Sequence, residues 1–387
     1  MNVLGIIAEY NPFHNGHLYH LEECVKRAGA DAAVAVMSGN FTQRGEPAMM
    51  DKWTRSRLAV QCGVDLVLEL PFAFAVNSAE HFAKGGVGIL SGLGCVTHLG
   101  FGGEQGTLEE LDAIAELLAK APSEYQQTLK EFLGNGDSYP KAREKTVERM
   151  LGKRAAELSL SPNNILAIEY LKQLKTLDSS IIPIMVNRKG PGYFDQRPVG
   201  KIASAMAIRR QMDKQRRMDY VPPPVKAALP KAGDTSGYFQ LVRSAVLRCR
   251  EAELAKIFSV GEGLEHKLKK QIRTSGSLEE LVEAVSSKRY PKARIRRILC
   301  QLLMGLTAFE PVFYARVLAA GEKGTRLLRE AKKKSGIPII TNINKEAHLP
   351  DLLSYDTLSG DIYNLLTGHD LYEQCDQVKR PYIEVGK

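Results

Sequence analysis

Short apolar runs separated by helix-like stretches recur along the N-terminal part of the chain, and this alternation restricts it to few folds. The runs are "NVLGIIAEY" (2–10), "DAAVAVMSG" (31–39), "VDLVLELP" (64–71) and "CVTHLGFGG" (95–103). Each is short, nearly continuous in apolar residues and closed by a turn signal, as expected of a parallel strand buried on both faces. Between them, "LYHLEECVKRAGA", "MDKWTRSRLAVQCG" and "SAEHFAKGGVGILSGLG" carry helical spacing and end on glycine. Strand–helix alternation of this kind predicts a doubly wound parallel α/β sheet. "IIPIMVNR" (181–188) supplies a fifth strand. In such sheets ligands bind outside the carboxyl ends of the strands.

Residues 107–136 and 161–177 are helical in pattern. The proline-rich "VPPPVKAALPKAGD" (221–234) interrupts the periodicity, and a domain boundary is placed there. The expectation is an ATP- and acetate-handling α/β domain over 1–225 and a basic, mainly helical domain over 226–387. Long helical patterns cover "YFQLVRSAVLRCREAELAKIF" (238–258) and "LEELVEAVSSKRYPKARIRRILCQLLMGL" (278–306).

Charge separates the two parts. The whole chain carries +9, but residues 201–340 hold 29 Lys/Arg against 13 Asp/Glu, a net of +16, leaving −7 elsewhere. A basic region of this kind predicts a polyanionic partner, nucleic acid before others. No run is long enough for a membrane span. The six cysteines are scattered without a C-x-x-C pair, which predicts free thiols in a reducing cytoplasm rather than a disulfide framework or a zinc ribbon.

The densest chemistry lies where the first strand meets the first helix, in "GIIAEYNPFHNGHLYHL" (5–21). Three of the chain's eight histidines, His14, His17 and His20, are there. Asn11 before Pro12 is expected to cap the helix. The first amides and the positive end of the helix dipole would then form an anion site with His14 and His17 beside it. Gly16 lets a ligand approach the backbone. This suits a nucleoside triphosphate whose β- and γ-phosphates leave together. A zincin would need H-E-x-x-H, and no glutamate is placed for it, so no metal site is assigned. His20 lies on the inner stripe with Leu21 and Val25, where a buried structural role is equally admissible. A second element, "KIASAMAIRR" (201–210), sets Ser204 and Arg209 at the start of a helical pattern. They would grip the same phosphates from the other side, or simply belong to a capped basic helix.

H-x-G-H followed by a late S-x-x-x-x-R helix resembles the HIGH-type nucleotidyltransferase superfamily. The longer segments "EYNPFHNGHLYHL", "MSGNFTQRGEPAMMDKWTR", "GVDLVLELPF", "SPNNILAIEYL" and "VNRKGPGYFD" resemble, together, the bacterial tRNA(Met) cytidine acetate ligases. The likeness covers most of the first 210 residues and extends more loosely to "SSKRYPKARIRRIL" and "PIITNI".

The resemblance implies activation of acetate with ATP, accompanied by Mg²⁺, to acetyl-adenylate and pyrophosphate. The acetyl group then passes to N4 of the wobble cytidine of elongator tRNA(Met), without acetyl-CoA. It places ATP on Ile7, Ala8, Glu9, Tyr10, Asn11, Pro12, Phe13, His14, Asn15, Gly16, His17, Leu18, Tyr19 and His20. Further nucleotide contacts fall on Gly102, Asn163 and Arg188. Catalytic roles fall on His14, His17, Ser204 and Arg209. Met206 is a departure, because the family often has threonine there and a thioether is a poor phosphate partner. The small carboxylate would sit near residues 5–9 and "SGNFTQRG". In "SSKRYPKARIRRI" (286–298), Lys288, Arg289, Lys292, Arg296 and Arg297 form the expected tRNA track, with Tyr290 placed to stack on a base. Membrane and DNA partners are not expected. Two alternatives are an adenylyltransferase that leaves AMP on a small product, disfavoured by the extra basic region, and a non-catalytic RNA-binding protein, disfavoured by His14, His17 and Arg209.

Overall fold

The computed structural model describes residues 1–187, 200–210, 214–230, 236–346 and 348–384. The expected alternation is present. Strand β1 (Val3–Ala8) leads to helix α1 (Asn15–Ala28), β2 (Ala32–Ser38) to α2 (Lys52–Gln61), and β3 (Leu66–Leu70) to α3 (Ala79–Gly92). Then follow β4 (His98–Gly103), α4 (Leu108–Lys120), α5 (Pro162–Thr176), β5 (Ile182–Asn187) and the short α6 (Ala205–Arg210). The helix-rich C-terminal region contains α7 (Ser236–Arg248) and α8 (Lys292–Met304). After these come β6 (Ala315–Ala320), α9 (Glu322–Lys334), β7 (Ile339–Ile340), α10 (Leu353–Thr367) and β8 (Tyr382–Ile383). Further helices, Ser123–Gly134 and Tyr139–Leu151 among them, lie between α4 and α5.

The sheet order is β5-β4-β1-β2-β3-β6-β7, with β8 also paired to β6. From β5 to β3 all pairings are parallel. The chain leaves β1 on one side to build β2 and β3, and returns on the other to build β4 and β5. The crevice between the ends of β1 and β4 is therefore a topological switch point. Successive residues of β1 feed opposite cores. Leu4 and Ile6 pack under α1 and α2, while Val3 and Ile7 pack on the face covered by α3, α4 and α5.

The C-terminal region contributes more than helices. β6 pairs antiparallel with β3, and β7 and β8 pair parallel with β6. "ARVLAA", a short alanine-rich run, carries little strand signal by itself. The proline-rich boundary segment folds in part as a short helix, Pro223–Ala228, with Val225 buried. The pattern over 278–306 is two helices, Leu278–Val285 and α8, divided before Pro291, since proline disfavours helical backbone in the residue before it.

Four buried charges hold the C-terminal segment to the sheet. Lys52 Nζ lies 2.7 Å from Glu69 Oε1 and 2.7 Å from Asp376 Oδ2. Arg316 Nη1 lies 2.8 Å from Asp376 Oδ2, and its Nε 3.6 Å from Glu69 Oε2. The Trp53 ring lies 5.6 Å from both cations. Two cations against two carboxylates balance, so the group tolerates burial, whereas loss of one member strands its partners. Lys52→Met should cost on the order of 3–5 kcal/mol, read as a lower urea midpoint. An unchanged midpoint would show the group to be energetically idle.

Candidate active site

The start of α1 differs from the expected cap. The Asn11–Pro12 peptide is cis, and the Asn11 Oδ1 accepts the Met49 N–H at 2.7 Å rather than an amide of α1. The cap is His14, whose Nδ1 accepts the N–H groups of Gly16 (3.1 Å) and His17 (3.3 Å). His17 Nδ1 in turn accepts the His14 N–H at 3.3 Å. A ring nitrogen that accepts carries no hydrogen, so in the neutral imidazole the proton sits on Nε2. Both rings are thereby set as Nε2–H donors. They stack at 3.7 Å between centroids, 20° apart. Tyr10 and Phe13, both buried, pack on His17 at 5.1 and 5.6 Å.

The second element arrives on the same end of the sheet. Arg209 Nη1 donates to the Asn11 carbonyl at 2.6 Å, and Asn15 Nδ2 donates to the carbonyls of Lys201 and Asp219 at 2.9 and 3.2 Å. Ser204 is buried, and its Oγ accepts the Ala207 N–H at 3.2 Å, so it caps α6. Its hydroxyl proton is left for another acceptor.

A cleft of about 250 Å³ opens at this switch point. His14, Gly16, His17, Tyr19 and His20 line one wall, with Ile7 to Asn11 at the end of β1. Ser204, Met206 and Arg209 line another, and Gly102, Asn163 and Asn187 a third. Gly102 stands within β4, opposite Val186 of β5. Asn163 opens α5, and its Nδ2 donates to Glu104. Pro12, Phe13 and Leu18 stand behind the wall: Phe13 is buried and Leu18 packs against the core under α1. Arg188 lies outside the described residues. His20 is half-buried, its Nε2 3.5 Å from Cys24 Sγ, and it reaches both the core stripe and the cleft.

Comparison with known proteins converges on one family. The model described as HIGH Nucleotidyl Transferase matches residues 1–378. The tRNA(Met) cytidine acetate ligase of a Thermoanaerobacter species is 43% identical over 383 residues, covering 94% of this chain and 95% of its own. That of Acetivibrio thermocellus is 38% identical over 407 residues, with 97% and 98% covered. The chain belongs to the tRNA(Met) cytidine acetate ligase family. The crystal structure of Thermotoga maritima TmcAL superposes with a TM-score of 0.90 at 31% identity, covering 99% of this chain and all of the other. A second form of that protein, bound with alpha-thio ATP, gives 0.89.

The expected tRNA track of this family member is only partly exposed. Lys288, Arg289 and Lys292 are exposed, with Arg289 Nη1 2.9 Å from Glu262 and Lys292 paired to Glu283. Arg296 is held by Glu46 at 3.6 Å and Glu279 at 3.3 Å. Arg297 is half-buried, and burial, with Arg294 adding to it, pushes its guanidinium down to about 10. Tyr290 does not present a stacking face: it is buried, its hydroxyl donates to the Gly261 carbonyl at 2.9 Å, and Arg294 covers the ring at 4.3 Å.

The stretch "SGNFTQRG", expected near the small carboxylate, reaches the cleft, whereas the residues that support it from behind carry no role in the sequence analysis. Loop 41–47 brings Gln43 and Arg44 to the cleft. The Gln43 N–H donates to Glu9 Oε1 at 2.7 Å. Behind the loop, Tyr238 of α7 donates to the Gly45 carbonyl at 3.0 Å. A Cβ on Gly45 would lie 2.5 Å from the Arg296 carbonyl oxygen, so only glycine fits against α8 there. Buried Arg55 joins the ends of β1 and β2, donating to the carbonyls of Glu9 (2.6 Å), Ser38 (3.1 Å), Met50 (2.9 Å) and Gly39. The only sequence signal for Arg55 is its helical spacing with Leu58 and Ala59 on the buried side of α2. Arg55→Met strands these acceptors, and Arg55→Lys cannot span them. Both should lose on the order of 3 kcal/mol or more, measured by denaturant unfolding. A lysine variant as stable as wild type would contradict this account.

Proposed function

We propose that the chain carries out the reaction for which its family is named, by way of an acetyl-adenylate. A carboxylate oxygen of acetate attacks the α-phosphorus of ATP. The bond from that phosphorus to the bridging oxygen breaks, and pyrophosphate leaves with the electron pair. The amino group at N4 of the tRNA cytidine then attacks the acetyl carbonyl, AMP leaves, and the nitrogen gives up a proton.

The observation that carries the reading is the paired cap of α1. It holds the Nε2–H groups of His14 and His17 as donors beside the cleft, with Arg209 anchored to the same turn through Asn11. Donors fixed before reaction stabilise charge that grows on the departing pyrophosphate more than they stabilise bound ATP. Ser204 adds a hydroxyl on the same side. Gly102 and Asn163, with Arg188, are the proposed contacts for the rest of the nucleotide. Glu9 is the one carboxylate among the described lining residues. Mg²⁺ accompanying ATP would therefore be held chiefly by phosphate oxygens, as is usual for this ion.

His17→Ala should reduce acetate-dependent ATP–pyrophosphate exchange about a hundredfold or more while circular dichroism stays that of the wild type. Near-normal exchange in the folded variant would remove His17 from the reaction. In the complete reaction, labelled acetate with ATP should label tRNA(Met), and acetyl-CoA without ATP should not.

The exposed part of the basic surface, Lys288, Arg289 and Lys292, is the proposed tRNA grip, with Arg296 and Arg297 behind it. Phosphate contacts make affinity fall steeply with salt. Lys288→Glu with Lys292→Glu should weaken tRNA binding and flatten its dependence on salt concentration. Unchanged affinity and slope would place the tRNA elsewhere.

A further inference from the structure

Beyond the phosphate grip, the cleft continues on the side of α3 and α5. Ile7 leaves β1 toward the face covered by α3 and α5, away from α1. Phe82 of α3, Leu166 and Tyr170 of α5 and Phe101 of β4 line the cleft on that side. Phe82 is 2% and Tyr170 5% exposed, and the Tyr170 and Phe101 rings lie 6.0 Å apart. Phe82 and Gly86 are one helical turn apart and share a side of α3. A Cβ on Gly86 would lie 2.6 Å from Ile7 Cδ1, so α3 is packed flush against Ile7, which has no room to retreat from the cleft. The compartment thus has a small, fixed apolar back.

Its polar group is the Tyr170 hydroxyl. Among the described residues it has no hydrogen-bond partner, although the side chain is nearly fully buried. It lines the cleft, so it can donate to whatever occupies that space. Burial, then the charge of Glu9, raises its pKa, so it is an O–H donor throughout the physiological range. Glu9 would repel an anion, but one of its oxygens already accepts the Gln43 N–H, and the neighbouring Arg44 brings positive charge to the same wall.

We propose that this compartment is the acyl-acid subsite, in which Tyr170 donates to one carboxylate oxygen of a short-chain acid while Phe82 and Ile7 receive its alkyl end. The inference rests on the acetate-activating reading above. The other carboxylate oxygen forms the bond to the α-phosphorus, pyrophosphate departs, and Tyr170 keeps its proton. A base or ribose would bring many polar atoms to a compartment that offers one hydroxyl and one carboxylate. Acetate needs one donor and room for one methyl. Each further methylene meets the back formed by Phe82 and Ile7, and a pocket of this kind discriminates by about 10–200-fold per methylene.

The test is ATP–pyrophosphate exchange supported by formate, acetate, propionate or butyrate. Wild type should prefer acetate. Tyr170→Phe, which changes no apolar volume, should raise the KM for acetate about tenfold and leave that for ATP unchanged. Phe82→Leu should raise the propionate-to-acetate ratio of kcat/KM about tenfold. Gly86→Ala, which drives Ile7 forward, should lower that ratio and weaken use of acetate. If Tyr170→Phe raises the KM for ATP and not for acetate, the compartment belongs to the nucleotide. If Phe82→Leu and Gly86→Ala keep the wild-type propionate-to-acetate ratio and Tyr170→Phe keeps the wild-type KM for both acetate and ATP, this inference fails alone. If wild type shows no exchange with any acid, the acetate-activating reading fails and takes this inference with it.

Discussion

The interaction on which the site depends is the one made by His14 Nδ1. By accepting the first amides of α1 it ends the turn after β1, starts the helix and fixes its own tautomer in a single step. The reciprocal bond from the His14 N–H fixes the tautomer of His17. Serine or aspartate would cap the helix equally well but would present no ring N–H to the cleft. Two histidines in a reciprocal cap couple the local folding of α1 to the polarity of the site, and the Arg209–Asn11 bond adds α6 to the same turn.

The C-terminal region reaches this site through the loop after β2. Gln43 and Arg44 face the cleft, while Gly45 and Glu46, the next residues, are seated on α7 and α8. Tyr363 of α10 holds the Ala48 carbonyl from the same side at 3.1 Å. The helix that carries the basic residues is therefore one layer of packing away from a wall of the cleft. Arg296 belongs to that packing rather than to the open surface, which is why a like-charged stripe on a helical wheel overstates what a polyanion can touch.

Much of the α/β architecture was legible because its signals are local. The five parallel strands are continuous apolar runs with turn residues at their ends, and H-x-G-H and S-x-x-x-x-R each lie within one element. What escaped was set by distant partners. β6 becomes a strand because the edge of β3 is there to receive it. Nothing local marks Lys52 and Arg316 for burial, which depends on Glu69 and Asp376 beside them. The cap falls at His14 rather than Asn11, whose side chain is taken by the Met49 N–H, a partner distant in sequence. The helical pattern does not distinguish Phe82 and Tyr170 from core residues, and only the meeting of α3, α5 and β1 sets them beside a cavity.

The four-charge cluster also has a consequence in time. Lys52 and Asp376 are 324 residues apart in sequence, so at ordinary rates of translation roughly 15–65 s separate their synthesis. Until residues 315–320 are made, β3 has an unsatisfied edge and Glu69 lacks the Arg316 guanidinium, and Lys52 waits longer still for the Asp376 carboxylate. The N-terminal sheet can therefore collapse early but cannot close. The nascent chain passes through a long stage in which a hydrogen-bonding edge, flanked by charges awaiting partners, stays open to water and to whatever binds unfinished sheets.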